Sequence, residues 1–321
     1  MKPERMLLGP LVLLGSLLLA AAAQAQGNSA ARSPLATDTS RLRQHLRYLT
    51  TTPLPRNSAH PAVLDSVAAY LSRQLQASGA RVHEQPYQVQ GRTYRNVVAS
   101  FGPAEGPVVV IGAHYDVCGN QPGADDNGTG IAALLELARQ LGARPQLSQR
   151  LDLVAYTLEE PPFFRTPNMG SYVHAASLRA AGVPVRGMVA LEMLGYYDDR
   201  RGSQHYPFGP LKLIYGSRGN YVVAARKFGS GRFARQFARS YRAGAALPVR
   251  RFTAPAWLPG IDFSDHLNYW KFGYSALLLT DTAFYRNRAY HETTDTVAQL
   301  DMPRLALAVD ALLTALLTLR S

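Results

Sequence analysis

Nearly continuous apolar runs constrain this chain more than any other feature. PVVVIGA (107–113), LDLVAYT (151–157), VRGMVAL before Glu192, YVVAA (221–225) and SALLLT (275–280) lack the strict alternation of a strand with one wet face. Such strands are covered on both faces, the situation of a parallel sheet flanked by helices. The segments between them carry helical periodicity. GIAALLELARQL sets Ile131, Leu134, Leu135, Ala138 and Leu141 on one face, and further helices are predicted over 171–181 and around 233–241. A terminal helix starts near Asp301-Met302-Pro303 and repeats Leu305, Val309, Leu312, Leu313 and Leu316. Ahead of the alternation, the sequence predicts helices over 39–51 and 61–79. A hairpin of ARVHEQPYQVQ and RTYRNVVASF then turns around Gly91. The predicted fold class is α/β: a single globular domain with a mixed, mostly parallel central sheet and helices on both faces.

In such sheets, ligands bind beyond the carboxyl ends of the strands. That is where the metal-type residues fall. His114 ends the first run and is followed by Asp116, then by Asp125 and Asp126 in PGADDNGTG. Glu159 and Glu160 follow the second run, Glu192 ends the third, and His291 follows the last in AYHETTDT. Taken singly, a His-x-Asp after a strand reads as a polar turn and a Glu-Glu pair as solvated surface. Four groups on one rim are a different matter. Imidazole and carboxylate together suit Zn²⁺, and a dication stabilises carboxylates set beside Ala, Leu and Met.

At these motifs the chain resembles the secreted co-catalytic dizinc aminopeptidases, relatives of glutamate carboxypeptidase and the glutaminyl cyclases. The resemblance runs from about residue 40 to 320. It rests on AHYD (113–116), PGADDNGTG (122–130), LEEPPFF (158–164), ALEMLGY (190–196), DFSDH (262–266) and TDTAFYRNRAYHETTDT (280–296), in order and spacing. It implies two zinc ions per chain, one held by His114 and Glu192 and the other by Glu160 and His291, with Asp126 bridging them and Asp125 outside the ligand set. It further implies Asp116 as the support of His114, Glu159 as general base and Tyr290 as a hydroxyl that steadies the tetrahedral intermediate.

The charges agree with that assignment: two Zn²⁺ are balanced by Asp126, Glu160, Glu192 and a metal-bridging hydroxide. A water between metals about 3.5–4 Å apart loses its proton near neutral pH. Two departures from the family pattern stand out. Glu192 occupies a position where Asp is more usual, which puts full occupancy of that zinc site in question. The stretch from Pro161 to Pro167 is also longer and stiffer than a Gly-rich turn, with Phe163 and Phe164 assignable to pocket or core alike. Asp265 and His266 are expected to organise the site from outside the ligand set, and His45, His60, His83, His174 and His205 to be structural.

The first residues make a separate unit. Lys2 and Arg5 precede an apolar stretch over 7–22 and an Ala23-Gln24-Ala25 cleavage site. That pattern is a secretory signal peptide over 1–25, followed by a flexible leader over 26–38 and the peptidase domain over 39–321. The expected location is periplasmic or secreted, with no stable membrane insertion after cleavage. The chain has one cysteine, Cys118, so no intramolecular disulfide forms. Cys118 lies inside the ligand loop, where packing is favoured over ligation.

A formal charge of +12 raises nucleic acid as a partner. No basic run interleaves with aromatics, and the arginines near 200, 232–242 and 250 read as solvated faces. Peptide is therefore the expected substrate, and nothing in the sequence sets an oligomeric state. The leading reading is a zinc aminopeptidase. A single-zinc glutaminyl-peptide cyclase is the alternative, and a receptor-like binding domain on the same fold is the non-enzymatic one.

Overall fold

The computed structural model describes residues 36–319 apart from 145. The expected signal peptide and nearly all of the leader lie outside these residues. Thr37 and Asp38, assigned to the leader from sequence, belong to the fold. Thr37 is buried and donates to Asp310 through both its amide and its hydroxyl, and Asp38 accepts from the Ser40 amide to cap the first helix.

In chain order the elements are α1 (Thr39–Thr50), α2 (Pro61–Ala77), β1 (Arg81–Val89), β2 (Arg92–Phe101), β3 (Val108–His114), α3 (Gly130–Gly142), β4 (Arg150–Tyr156), α4 (Gly170–Ala180) and β5 (Val185–Glu192). There follow α5 (Leu211–Tyr215), β6 (Val222–Lys227), α6 (Gly231–Gly244), β7 (Val249–Ala254), α7 (His266–Lys271), β8 (Ala276–Thr280) and α8 (Met302–Thr318). Every predicted helix and strand is present within a few residues of its expected ends. Strand β7 and the short helices α5 and α7 were not anticipated. The β7 sequence, VRRFTA, exposes Arg250 and Arg251, as only an edge strand can, and so lacks the apolar continuity that marked the others.

The eight strands form one sheet in the order β1-β2-β4-β3-β5-β8-β6-β7. β4, β3, β5 and β8 run parallel, so their carboxyl ends share one rim. Register fixes that rim closely, with His114 opposite Tyr156 and Glu192 opposite Thr280. β1 and β2 pair antiparallel through a two-residue turn at Gln90 and Gly91, both with positive φ. β6 is antiparallel to β8 and parallel to β7, which makes the sheet mixed.

Side chains of the central strands alternate between two apolar layers. Val109, Ile111 and Ala113 of β3 face the layer built with α1, α2, α3, α6 and α8, whereas Val108 and Val110 face the layer that includes α4 and α7. All seven residues of β3 are buried. At roughly 1.5–3 kcal/mol for each large aliphatic side chain buried, this double burial pins the strand whose last residue is His114. Among the described residues, no helix is long and apolar enough to cross a membrane.

Candidate metal centre

The rim brings together His114, Asp116, Asp126, Glu159, Glu160, Glu192 and His291. His114 closes β3 with its Nε2 directed at carboxylates: Glu192 Oε2 lies 3.2 Å away, Asp126 Oδ1 3.6 Å and Glu159 Oε2 3.8 Å. Its Nδ1 is turned the other way, 3.2 Å from the Asp116 backbone oxygen and 3.6 Å from Asp116 Oδ1. The expected support of His114 by Asp116 is thus shared between carbonyl and carboxylate. The carboxylate also accepts from the amides of Glu159 (3.2 Å) and Glu160 (3.1 Å), tying the loop after β4 to the loop after β3.

Asp126 has one oxygen for each histidine. Oδ1 faces His114, and Oδ2 lies 3.3 Å from His291 Nε2. Glu160 Oε2 is likewise 3.3 Å from His291 Nε2. Glu192 is steadied by Ser264, whose hydroxyl donates to Oε2 at 2.7 Å, and by the Asn127 side-chain Nδ2, which donates to the same oxygen at 3.4 Å. Asp125 is turned away from the site, and its carboxylate accepts from the Gly195 amide, Thr129 Oγ1 and Asn287 Nδ2.

The electrostatics test whether this donor set suits dications. Asp126, Glu159, Glu160 and Glu192 are all buried, against two histidines. Burial raises the Glu159 and Glu192 carboxyls, with neighbouring carboxylates adding to the effect, and pushes Glu160 up to about 7 with Asp126 as the next contributor. Asp126 is held low because the hydrogen bond from His291 and the charge of both histidines outweigh its burial. Burial lowers both histidines, but the facing carboxylates prevail and raise them, His291 to about 10. Glu160 Oε1 is buried with no hydrogen-bond partner among the described residues. Excess buried negative charge with an unpartnered oxygen is what bound Zn²⁺ would neutralise, and the nitrogen and oxygen donors fit zinc.

Several residues hold this arrangement without having been recognised from sequence. Asp295 accepts from the backbone amides of Asp125 and Asp126, fixing the peptide that carries the bridging candidate. Arg56 is fully buried, and its guanidinium donates to the carbonyls of Leu49, Tyr115, Pro122 and Gly123. It thereby clamps both ends of the loop between Tyr115 and Gly123. Asp295 and Ser264 lie within motifs already quoted, so proximity to a ligand was the available signal. Arg56 carries no such signal, because a lone Arg in a Pro-flanked turn reads as surface.

A cleft opens from the ligands along the sheet face of β6, β7 and β8. Phe164, Phe263, Phe284 and Tyr221 line it, and Tyr290 stacks on His291 at 3.8 Å between ring centroids. Phe163 is instead buried against Tyr94 in the core, which separates the two adjacent phenylalanines. His205, expected to be structural, and Arg250, expected on a solvated face, both line the cleft. His266 does not reach the ligands; its Nε2 lies 2.8 Å from the Ile261 carbonyl and its ring packs edge-on to Trp270.

The pattern of peptidase family M28 matches residues 96–316. The uncharacterized protein YfbL of Escherichia coli (strain K12) is 42% identical over 297 residues, spanning 90% of this chain and 91% of its own length. Among solved structures, the LapA aminopeptidase of Legionella pneumophila is similar at a TM-score of 0.68 and 18% identity, over 87% of this chain and 71% of that one. Glutaminyl cyclase of Bacteroides thetaiotaomicron, bound to N-acetylhistamine, gives 0.66 and 17% over 89% and 99%. At those identities the likeness to both is one of fold.

Proposed function

The chain belongs to peptidase family M28 and is a zinc metallopeptidase; we propose that it is an exported aminopeptidase with two zinc ions per chain. The observation that carries the reading is Asp126, whose two oxygens face two different histidines. A carboxylate so placed suits a bridge, with His114 and Glu192 completing one position and Glu160 and His291 the other.

Zinc, when bound, lowers the pKa of a coordinated water toward neutrality and polarises the scissile carbonyl. The remaining work falls to side chains. Glu159 is buried, stands beside His114 and has its carboxyl raised, so it is suited to take a proton from the attacking water and return it to the leaving amine. Tyr290 reaches the cleft beside His291 and donates its hydroxyl proton in a hydrogen bond to the developing oxyanion. The aromatic walls exclude water and favour peptides with a large apolar N-terminal residue. Complete donor sets on both sides of Asp126 favour this reading over a single-zinc cyclase, and also over a binding domain without catalysis. Export rests on Lys2, Arg5, the apolar run over 7–22 and the Ala23-Gln24-Ala25 site.

Zinc content of the purified protein, measured with a panel of aminoacyl-nitroanilides in the presence and absence of chelator, tests the proposal. Two zinc per chain with chelator-sensitive release supports it. One zinc with cyclisation of N-terminal Gln peptides establishes the cyclase instead, and a metal-free protein overturns both.

A further inference from the structure

Cys118 stands four residues after His114, in the loop that Arg56 clamps, and it is only partly buried. A packing role would bury it, as it buries the adjacent Val117. Its Sγ, a carboxylate oxygen of Glu160 and a ring nitrogen of His291 all lie within 4.8 Å of one another. A second observation points to a ligand at the same place: Glu160 is nine-tenths buried or more, and its Oε1 has no hydrogen-bond partner among the described residues.

Resting on the zinc reading above, we infer that Cys118 is a further protein ligand of the metal held by Asp126, Glu160 and His291. Ligation takes the thiolate, so the thiol proton passes to solvent as the sulfur–metal bond forms. With Cys118 on one metal the two donor sets differ in kind, since His114, Asp126 and Glu192 supply only nitrogen and oxygen to the other, which stands beside Glu159.

Zinc-edge X-ray absorption on the purified zinc-loaded protein tests this directly. The expected result is a sulfur scatterer at about 2.3 Å, absent from Cys118→Ser, which should also hold zinc at least roughly tenfold more weakly. Labelling of the wild-type thiol with Ellman's reagent gives a second readout that needs no variant, because the chain has one cysteine. Labelling should be slow in the loaded protein and fast after chelation. Bound zinc with only nitrogen and oxygen scatterers, or labelling indifferent to chelator, overturns the ligation and leaves the peptidase reading intact. A protein that binds no zinc overturns both.

Discussion

Replacing Asp295 by Ala tests how the bridging carboxylate is held in place. Asp295 is fully buried, with its oxygens 2.9 and 3.1 Å from the Asp125 amide and 3.0 Å from the Asp126 amide. Truncation leaves two buried N–H groups without an acceptor, at about 1–3 kcal/mol each. Burial and then the Asp125 charge push the Asp295 carboxyl up to about 7, so its removal also relieves some repulsion. Against a total of about 2–6 kcal/mol for the two groups, the net loss should fall in the lower part, about 2–4 kcal/mol. Asp295→Asn keeps one acceptor oxygen and should lose about half as much. Because the freed peptide carries Asp126, zinc affinity should fall roughly 10–100-fold in the Ala variant. Urea denaturation gives the first quantity, and competition with a chelating dye gives the second. An Ala variant within about 0.5 kcal/mol of wild type, with unchanged zinc affinity, refutes the reasoning.

Three further outcomes are expected. Glu159→Gln should lower kcat by about 10²–10⁴-fold with zinc content unchanged, and a variant retaining most of its activity removes Glu159 from the role of base. Arg56→Lys replaces a fork bonded to four carbonyls by a single ammonium, and should destabilise by about 3 kcal/mol or more; an unaltered melting temperature contradicts this. Burial holds His45 and His174 down at about 4, their Nδ1 atoms lying 2.7 and 2.6 Å from the hydroxyls of Tyr70 and Tyr269. Above pH 6.5 each is neutral whether the chain is folded or unfolded. Below it only the unfolded chain takes up the proton, so each removes about 1.4 kcal/mol per pH unit down to about pH 4. His174→Gln should therefore lose stability less steeply than wild type between pH 6.5 and 4, and parallel curves refute the assignment.

The sequence by itself determined every strand but β7, the long helices and the types of the rim residues. Backbone periodicity and side-chain chemistry are local, and parallel strands must end where their apolar runs end. His114, Glu159, Glu160, Glu192 and His291 could thus be placed on one edge before any contact was known. Tertiary structure alone decided which groups hold them. Ser264 reaches Glu192 across 72 residues, Asp295 reaches the Asp125 amide across 170, and Arg56 reaches Gly123 across 67. No periodicity encodes such pairings, because each is set by how the loops fold back over the rim. Cys118 belongs to the same class. Its residue type allowed packing or ligation, and only tertiary structure brings it within reach of Glu160 and His291, the observation on which the proposed ligation rests.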